Sequence, residues 1–173
     1  MTAPEFSRPI ALDTIGDVPR TVTVEADEAE RAALAARFGL ASIARLAARA
    51  TVSLRSGFPY AEGAVTAAVT QNCIVTGDPL PVAVEEPFAL RFLPTDMASD
   101  SEVELDAAAC DTMFHSGGAI DLGEAAAETL ALALDPFPRG PGADAALKAA
   151  GVIGEDAYTP LNAFAALQAL KKT

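Results

Sequence analysis

Apolar and polar residues alternate with a period of two over several stretches, the pattern of strands with one buried face. Thr21-Val22-Thr23-Val24-Glu25 predicts the first such strand. Asp27 follows as a helix N-cap, and Glu30 three positions on completes a capping-box pattern for a helix that ends near Phe38 and stops at Gly39. From Leu40 to Arg55 the pattern returns to a strand, with Val52 and Leu54 on one face and Thr51, Ser53 and Arg55 on the other. Alternation is clearest from Ala61 to Thr76, where Val65, Val69, Cys73 and Val75 share one side and Thr66, Thr70, Asn72 and Thr76 the opposite one. Gly77-Asp78-Pro79 marks a turn, after which Val82, Val84, Phe88, Leu90 and Phe92 make the next inward set. The succession predicts an antiparallel meander. Pro87 has no N–H to give to a ladder, which puts that strand at an edge or at a bulge.

The flanks read differently. Pro4, Pro9 and Gly16 interrupt Phe6, Ile10 and Leu12, predicting an extended arm over the first sixteen residues. Beyond Phe92 the chain through Gly118 reads as a mobile acidic loop with one short strand around Val103. Asp121 then caps a second helix, with Glu124 in the reciprocal position and Leu122, Ala126, Leu130 and Ala133 at helical spacing, ended by Asp135-Pro136. The segment from Pro136 to Gly142 is rich in Pro and Gly, and Ala and Gly dominate without a strand pattern as far as Tyr158. Thr159 as cap and Pro160 in the first turn predict a last helix through Leu161, Phe164, Leu167 and Leu170, with Lys171 and Lys172 complementing its dipole. The predicted fold is α+β. A core domain over residues 1–137 holds an antiparallel sheet of about five or six strands, or a partly closed barrel, with packed helices. A Pro/Gly/Ala-rich linker follows over 138–159, and the C-terminal helix occupies 160–173.

Composition narrows the class. The 173 residues are 51% hydrophobic, and although 39 of them are alanine the remaining apolar side chains suffice for a core, since a chain this long buries roughly 70% of its unfolded surface. Lys and Arg number 12 against 24 Asp and Glu, a net charge of −12. Counterion release on nucleic acid needs a cationic surface, so a general DNA coat is excluded, while binding through one local patch is not. No apolar run reaches a membrane span. Glu5, Arg8 and Asp13 stand where a signal peptide would be apolar, and Cys73 and Cys110 are too few for a disulfide scaffold, so a reducing cytoplasm is expected.

Catalytic chemistry finds little support. His115, the single histidine, lies in Phe114-His115-Ser116-Gly117-Gly118 with no nucleophile-elbow pattern beside it, and reads as a solvated loop residue. Glycine-rich phosphate cradles are missing. Cys73 has the parity of Val69 and Val75, which marks it as a small buried hydrophobe, and Cys110 is too distant in sequence to complete a zinc-type ligand set. No catalytic residue, metal or cofactor is therefore expected.

Charge is distributed unevenly. Between Phe92 and Pro138 there is no Lys or Arg, but there are ten acids. Arg31, Arg37, Arg45, Arg49 and Arg55 fall in a window, Arg31 to Ala61, that contains no acid at all. Such segregation predicts a basic face opposite an acidic one, and arginine's planar fork suits phosphate. These five are the candidate RNA-binding residues. The alternative is that they pair internally with the acidic segment.

Three segments together resemble the bacterial and plastid YceD family, the large ribosomal RNA subunit accumulation proteins. They are Gln71-Asn72-Cys73-Ile74-Val75-Thr76-Gly77-Asp78-Pro79; Ile120-Asp121-Leu122-Gly123-Glu124 running to Leu130-Ala131-Leu132-Ala133-Leu134-Asp135-Pro136; and Asn162-Ala163-Phe164-Ala165-Ala166-Leu167-Gln168-Ala169-Leu170-Lys171. The resemblance implies a cytoplasmic, non-enzymatic factor for large-subunit ribosomal RNA accumulation or processing, acting in assembly of that subunit. Its partners would be the ribosomal RNA or a pre-ribosomal particle, with a basic ribosomal protein facing the acidic loop. Members often carry Cys-x-x-Cys at the first segment, followed by further Cys or His near the proline-rich stretch. Here Cys73 matches the first cysteine, Thr76 replaces the second, and Pro136 to Gly142 holds neither Cys nor His. A second reading of the same charge is an acidic adaptor or holdase for a basic client, with no RNA contact. The last helix is too short to be stable alone and must dock, either on its own sheet or in a partner's groove, so Leu161, Phe164, Leu167 and Leu170 are the candidate docking residues.

Overall fold

A computed structural model describes residues 4–95 and 111–152 of the chain. The N-terminal arm contains strand β1 (Pro9–Ala11) and one 3-10 turn (Leu12–Thr14). Then come β2 (Arg20–Glu25), α1 (Glu28–Phe38), and three long strands, β3 (Ser42–Arg55), β4 (Phe58–Asn72) and β5 (Pro79–Pro94). After the undescribed stretch, β6 (Asp111–His115), β7 (Ala119–Asp121), α2 (Leu122–Ala133) and α3 (Ala143–Ala149) complete the described elements.

Local chemistry explains most boundaries. The Asp27 side chain accepts from the Glu30 N–H and the Glu30 side chain accepts from the Asp27 N–H, the reciprocal box expected from sequence. Gly39 ends α1 in the left-handed region at φ 66°. Ser56 and Gly57 both take positive φ between the paired residues Arg55 and Phe58, so a two-residue turn of the primed kind joins β3 to β4.

The main sheet runs in the order β2-β3-β4-β5-β6. β2 to β5 form the expected antiparallel meander, and the sheet does not close into a barrel: β2 and β6 are its edges among the described residues. β1 and β7 make a separate antiparallel pair with Ile10 opposite Ile120. Pro87 lies on the part of β5 that β6 does not reach, an edge where its missing N–H costs nothing.

Opposed residues share a face, so register and burial separate the two sides of the sheet. Val24, Leu46, Ala48, Ala50, Val52, Ala61, Val65, Val69, Leu90 and Phe92 point to the inner side and belong to one buried cluster. α1 packs on β3 through Leu34, and α2 packs over β3, β4 and β5 with Leu122, Ala125, Ala126, Ala127 and Leu130 at 0% exposure. Alanine is useful here: small residues on both helix and sheet let the layers approach closely. Each large side chain enclosed in this layer, among them Leu34, Leu46, Phe92 and Leu130, contributes about 1.5–3 kcal/mol.

Several expectations need correction. The expected loop through Gly118 is interrupted: Asp111–His115 is the fifth strand of the main sheet, and after residues 116–118 the strand Ala119–Asp121 pairs with the arm. The sheet is not wholly antiparallel, because β6 runs parallel to β5. β4 stops at Asn72, so Val75 and Thr76 lie in a turn closed by the Gly77 N–H on the Cys73 oxygen. Glu124 does not return the Asp121 cap; its carboxylate is held by Arg37 instead. The stretch after Gly142 carries the short helix α3, which its alanine-rich sequence left unassigned. The strand around Val103 and the last helix lie outside the described residues.

A candidate nucleic-acid interface on the outer sheet face

Among the described residues, the meander has one face on which no helix packs. Residues alternating with the buried set define it: Thr21, Thr23 and Glu25 on β2; Arg45, Ala47, Arg49, Thr51, Ser53 and Arg55 on β3; Tyr60, Glu62, Ala64, Thr66 and Ala68 on β4; Glu85, Pro87, Ala89 and Arg91 on β5; and Thr112 and Phe114 on β6. Its side chains are mostly small or hydroxylated; Ala47 and Ser53 are buried, while Arg45, Arg49 and Arg55 are exposed.

The five window arginines separate here. Arg45 and Arg49 are exposed on the outer face, and no carboxylate among the described residues comes within ion-pair distance of either. Arg55, beside the β3–β4 turn, lies 3.7 Å over the Tyr60 ring and 2.9 Å from Glu62 Oε1, contacts that raise its pKa, with the Glu62 hydrogen bond first among the causes. Arg31 and Arg37 are on α1, in the helical layer. Arg31 donates to the Ala26 oxygen at 2.6 Å. Arg37 bridges Glu124 at 2.8 Å and Glu5 at 3.0 Å, and the Glu124 hydrogen bond pushes its pKa upward. Leu161, Phe164, Leu167 and Leu170 lie outside the described residues.

Charge segregation is partial. Glu28, Glu30, Glu124 and Glu128 sit on the helices, yet Glu25, Glu62 and Glu85 share the outer sheet face with the arginines. Sequence reasoning missed Arg91, which alternates with Leu90 and Phe92 and stands between Tyr60 and Thr112. It also missed Phe114, assigned to a loop although its parity with Met113 would have turned one of the two outward. Arg8 was overlooked as well: it forks onto Glu30 at 2.6 and 2.8 Å, and that hydrogen bonding lowers the pKa of Glu30.

Other chemistry is less developed. A groove of about 370 Å³ between the β5–β6 edge and α2 is lined by Phe88, Leu90, Met113 and Leu132, with Glu128 at its side; burial first, then the Glu124 charge, raise the Glu128 pKa. Cys73 is 2% exposed, and its sulfur accepts from the Gly140 N–H at 3.3 Å and the Thr76 N–H at 3.5 Å. These donors, Gly140 foremost, lower the thiol pKa from 9.0 to about 7. The described residues do not fit a metal here: no group of three or more Cys, His or carboxylate ligands gathers among them, and the Thr76 hydroxyl is turned to Asp78 Oδ2 at 2.7 Å. His115 ends β6 with Nδ1 shielded from solvent, and no described carboxylate orients its ring. No helix among the described residues is long and apolar enough to cross a membrane.

Residues 61–171 match a family model described as large ribosomal RNA subunit accumulation protein YceD. The match takes in Cys73, Arg91, Phe114 and α2, while Arg31 to Arg55 precede it. No curated protein and no solved structure matches the chain.

Proposed function

The chain belongs to the YceD family of large ribosomal RNA subunit accumulation proteins, and from that premise we propose that it is a cytoplasmic, non-enzymatic factor that contacts large-subunit precursor RNA directly. The observation that carries this reading is the exposed pair Arg45 and Arg49 on the sheet face that no described helix covers. Their guanidinium groups can exchange water for phosphate at little cost, because no carboxylate among the described residues must first be displaced. Arg55 would join them only by giving up Glu62. Arg31 and Arg37 serve the fold in this reading, the first tied to backbone and the second to two carboxylates.

The high negative charge works against wandering over RNA in general. With a net charge of −12, attraction to phosphate is confined to a local patch, and whole-molecule repulsion penalises duplexes that approach from any other side. The test is sedimentation of extract containing the tagged chain, together with the Arg45→Ala/Arg49→Ala variant. Co-migration with precursor large subunits that the variant loses supports the reading; no co-migration and an unchanged ribosomal RNA ratio after deletion remove it. The acidic helical layer favours a second reading, an adaptor or holdase for a basic ribosomal protein. That reading requires the double variant to remain fully functional.

A further inference from the structure

We propose that the turn end of the outer sheet face is a stacking platform for unpaired bases, so that the ligand is a single-stranded segment of RNA. This rests on the proposed direct RNA contact and adds to it the strandedness of the RNA and the side chains that recognise it. Three aromatics gather on that side of the sheet: Phe58 and Tyr60 at the start of β4, and Phe114 two strands away on β6. By ladder spacing, Phe114 and Tyr60 are separated by about 10 Å in the direction across the strands.

Phe114 is 52% exposed, the fourth of the five residues of β6, and its neighbour Met113 packs against the core. A half-exposed ring on a regular element presents a face on which a flat group can stack. Its surroundings indicate what that is. Leu93 lies opposite Phe114, and Arg91 comes one outward position earlier on β5, opposite Thr112 and Tyr60. The Arg91 Nε is shielded and unbonded among the described residues, a donor without an acceptor. Arg55 already rests face-on against the Tyr60 ring. Rings flanked by guanidiniums suit a nucleic acid strand, whose bases stack on the rings while its phosphates meet the charges. An apolar partner protein would leave Arg45, Arg49 and Arg91 unanswered. A duplex would offer phosphates but no free base faces, so the aromatic end would gain nothing from it.

The test uses the full chain and a short unstructured RNA oligonucleotide, single-stranded or paired with its complement, followed by fluorescence anisotropy. Phe114→Ala is expected to weaken single-strand binding about tenfold while leaving duplex binding unchanged, as loss of one base–aromatic stack predicts. Its melting temperature, measured alongside, separates unfolding from lost stacking, since a ring this exposed supports little of the core. In Phe114→Trp, a chain otherwise without tryptophan, emission should be quenched by the single strand and not by the duplex. Equal binding of single strand and duplex, with Phe114→Ala indistinguishable from the parent, overturns the platform. If Arg45→Ala/Arg49→Ala still weakens both RNAs in that case, direct RNA contact survives without stacking. Should no RNA bind while a basic ribosomal protein shifts the Phe114→Trp emission, both the platform and the RNA contact fall.

Discussion

Gly63 stands in the middle of β4 opposite Ala50, where a Cβ would lie 2.0 Å from the Arg49 carbonyl oxygen and 2.7 Å from the Ala50 Cα. Both neighbours are backbone and cannot step aside. Gly63→Ala is therefore expected to lower stability by about 2–3 kcal/mol, seen as a drop in the urea midpoint, and to disturb the strand that presents Arg49. Cys73 offers a test through pH. Its folded pKa, about 7, is below the ordinary thiol value, so the fold favours the thiolate. The added stability is absent below pH 7, grows as pH rises toward 9, and is lost again on acidification through the folded value. A Cys73→Ala variant should lack this rise, and parallel melting profiles for the two proteins from pH 6 to 9 would show that the N–H groups do not hold a thiolate. The burial of Cys73 was legible, although the strand parity with Val69 and Val75 that predicted it stops with β4 at Asn72. Its hydrogen bond from Gly140 was not, because that donor comes from 67 residues further along.

At the scale of elements, the N-terminal arm is fastened by several independent contacts. Phe6 is completely buried, β1 pairs with β7, and Asp121 accepts from the Ser7 hydroxyl and the Arg8 N–H while capping α2 at Gly123 and Glu124. Asp121→Ala should thus cost more than a lost cap, about 2 kcal/mol in denaturant unfolding. Arg8–Glu30 and Arg37–Glu5 extend the attachment to α1. Glu30 is held below its ordinary pKa by its hydrogen bonds from Arg8, and Glu5 by its own backbone N–H first and then by Arg37. Their contributions are complete above about pH 4.5 and disappear as pH falls through the lowered folded values. Limited proteolysis should therefore cut the arm increasingly between pH 5 and 3, and Glu30→Gln should make the arm susceptible already at neutral pH. Equal cutting of parent and variant would show that the ion pairs do not secure it. The sequence foretold α1 to its last residue because capping box and Gly39 act within one turn. β6 escaped notice because five residues preceded by acids carry no period long enough to read, and their pairing partner lies in a distant strand.

For the whole molecule, the decisive quantity is how many cations remain open. Arg45 and Arg49 project from the sheet, whereas Arg37 is neutralised by carboxylates 32 and 87 positions away. Two phosphate contacts predict an affinity that falls by about 1.4–1.8 decades per decade of salt, and Arg45→Ala/Arg49→Ala should remove that slope. An unchanged slope would assign RNA attraction to another surface.

The sequence alone determined the meander, both helices over the core, the capped start of each, and the excess of acid over base, because alternation, caps and net charge are local or additive properties. Which face the described helices cover, which arginines kept company with carboxylates, and how Phe58, Tyr60 and Phe114 came to share one side were decided only by the fold. Those outcomes depend on strand order and register, which bring residues far apart in the chain within a few ångströms, and no local pattern encodes such encounters.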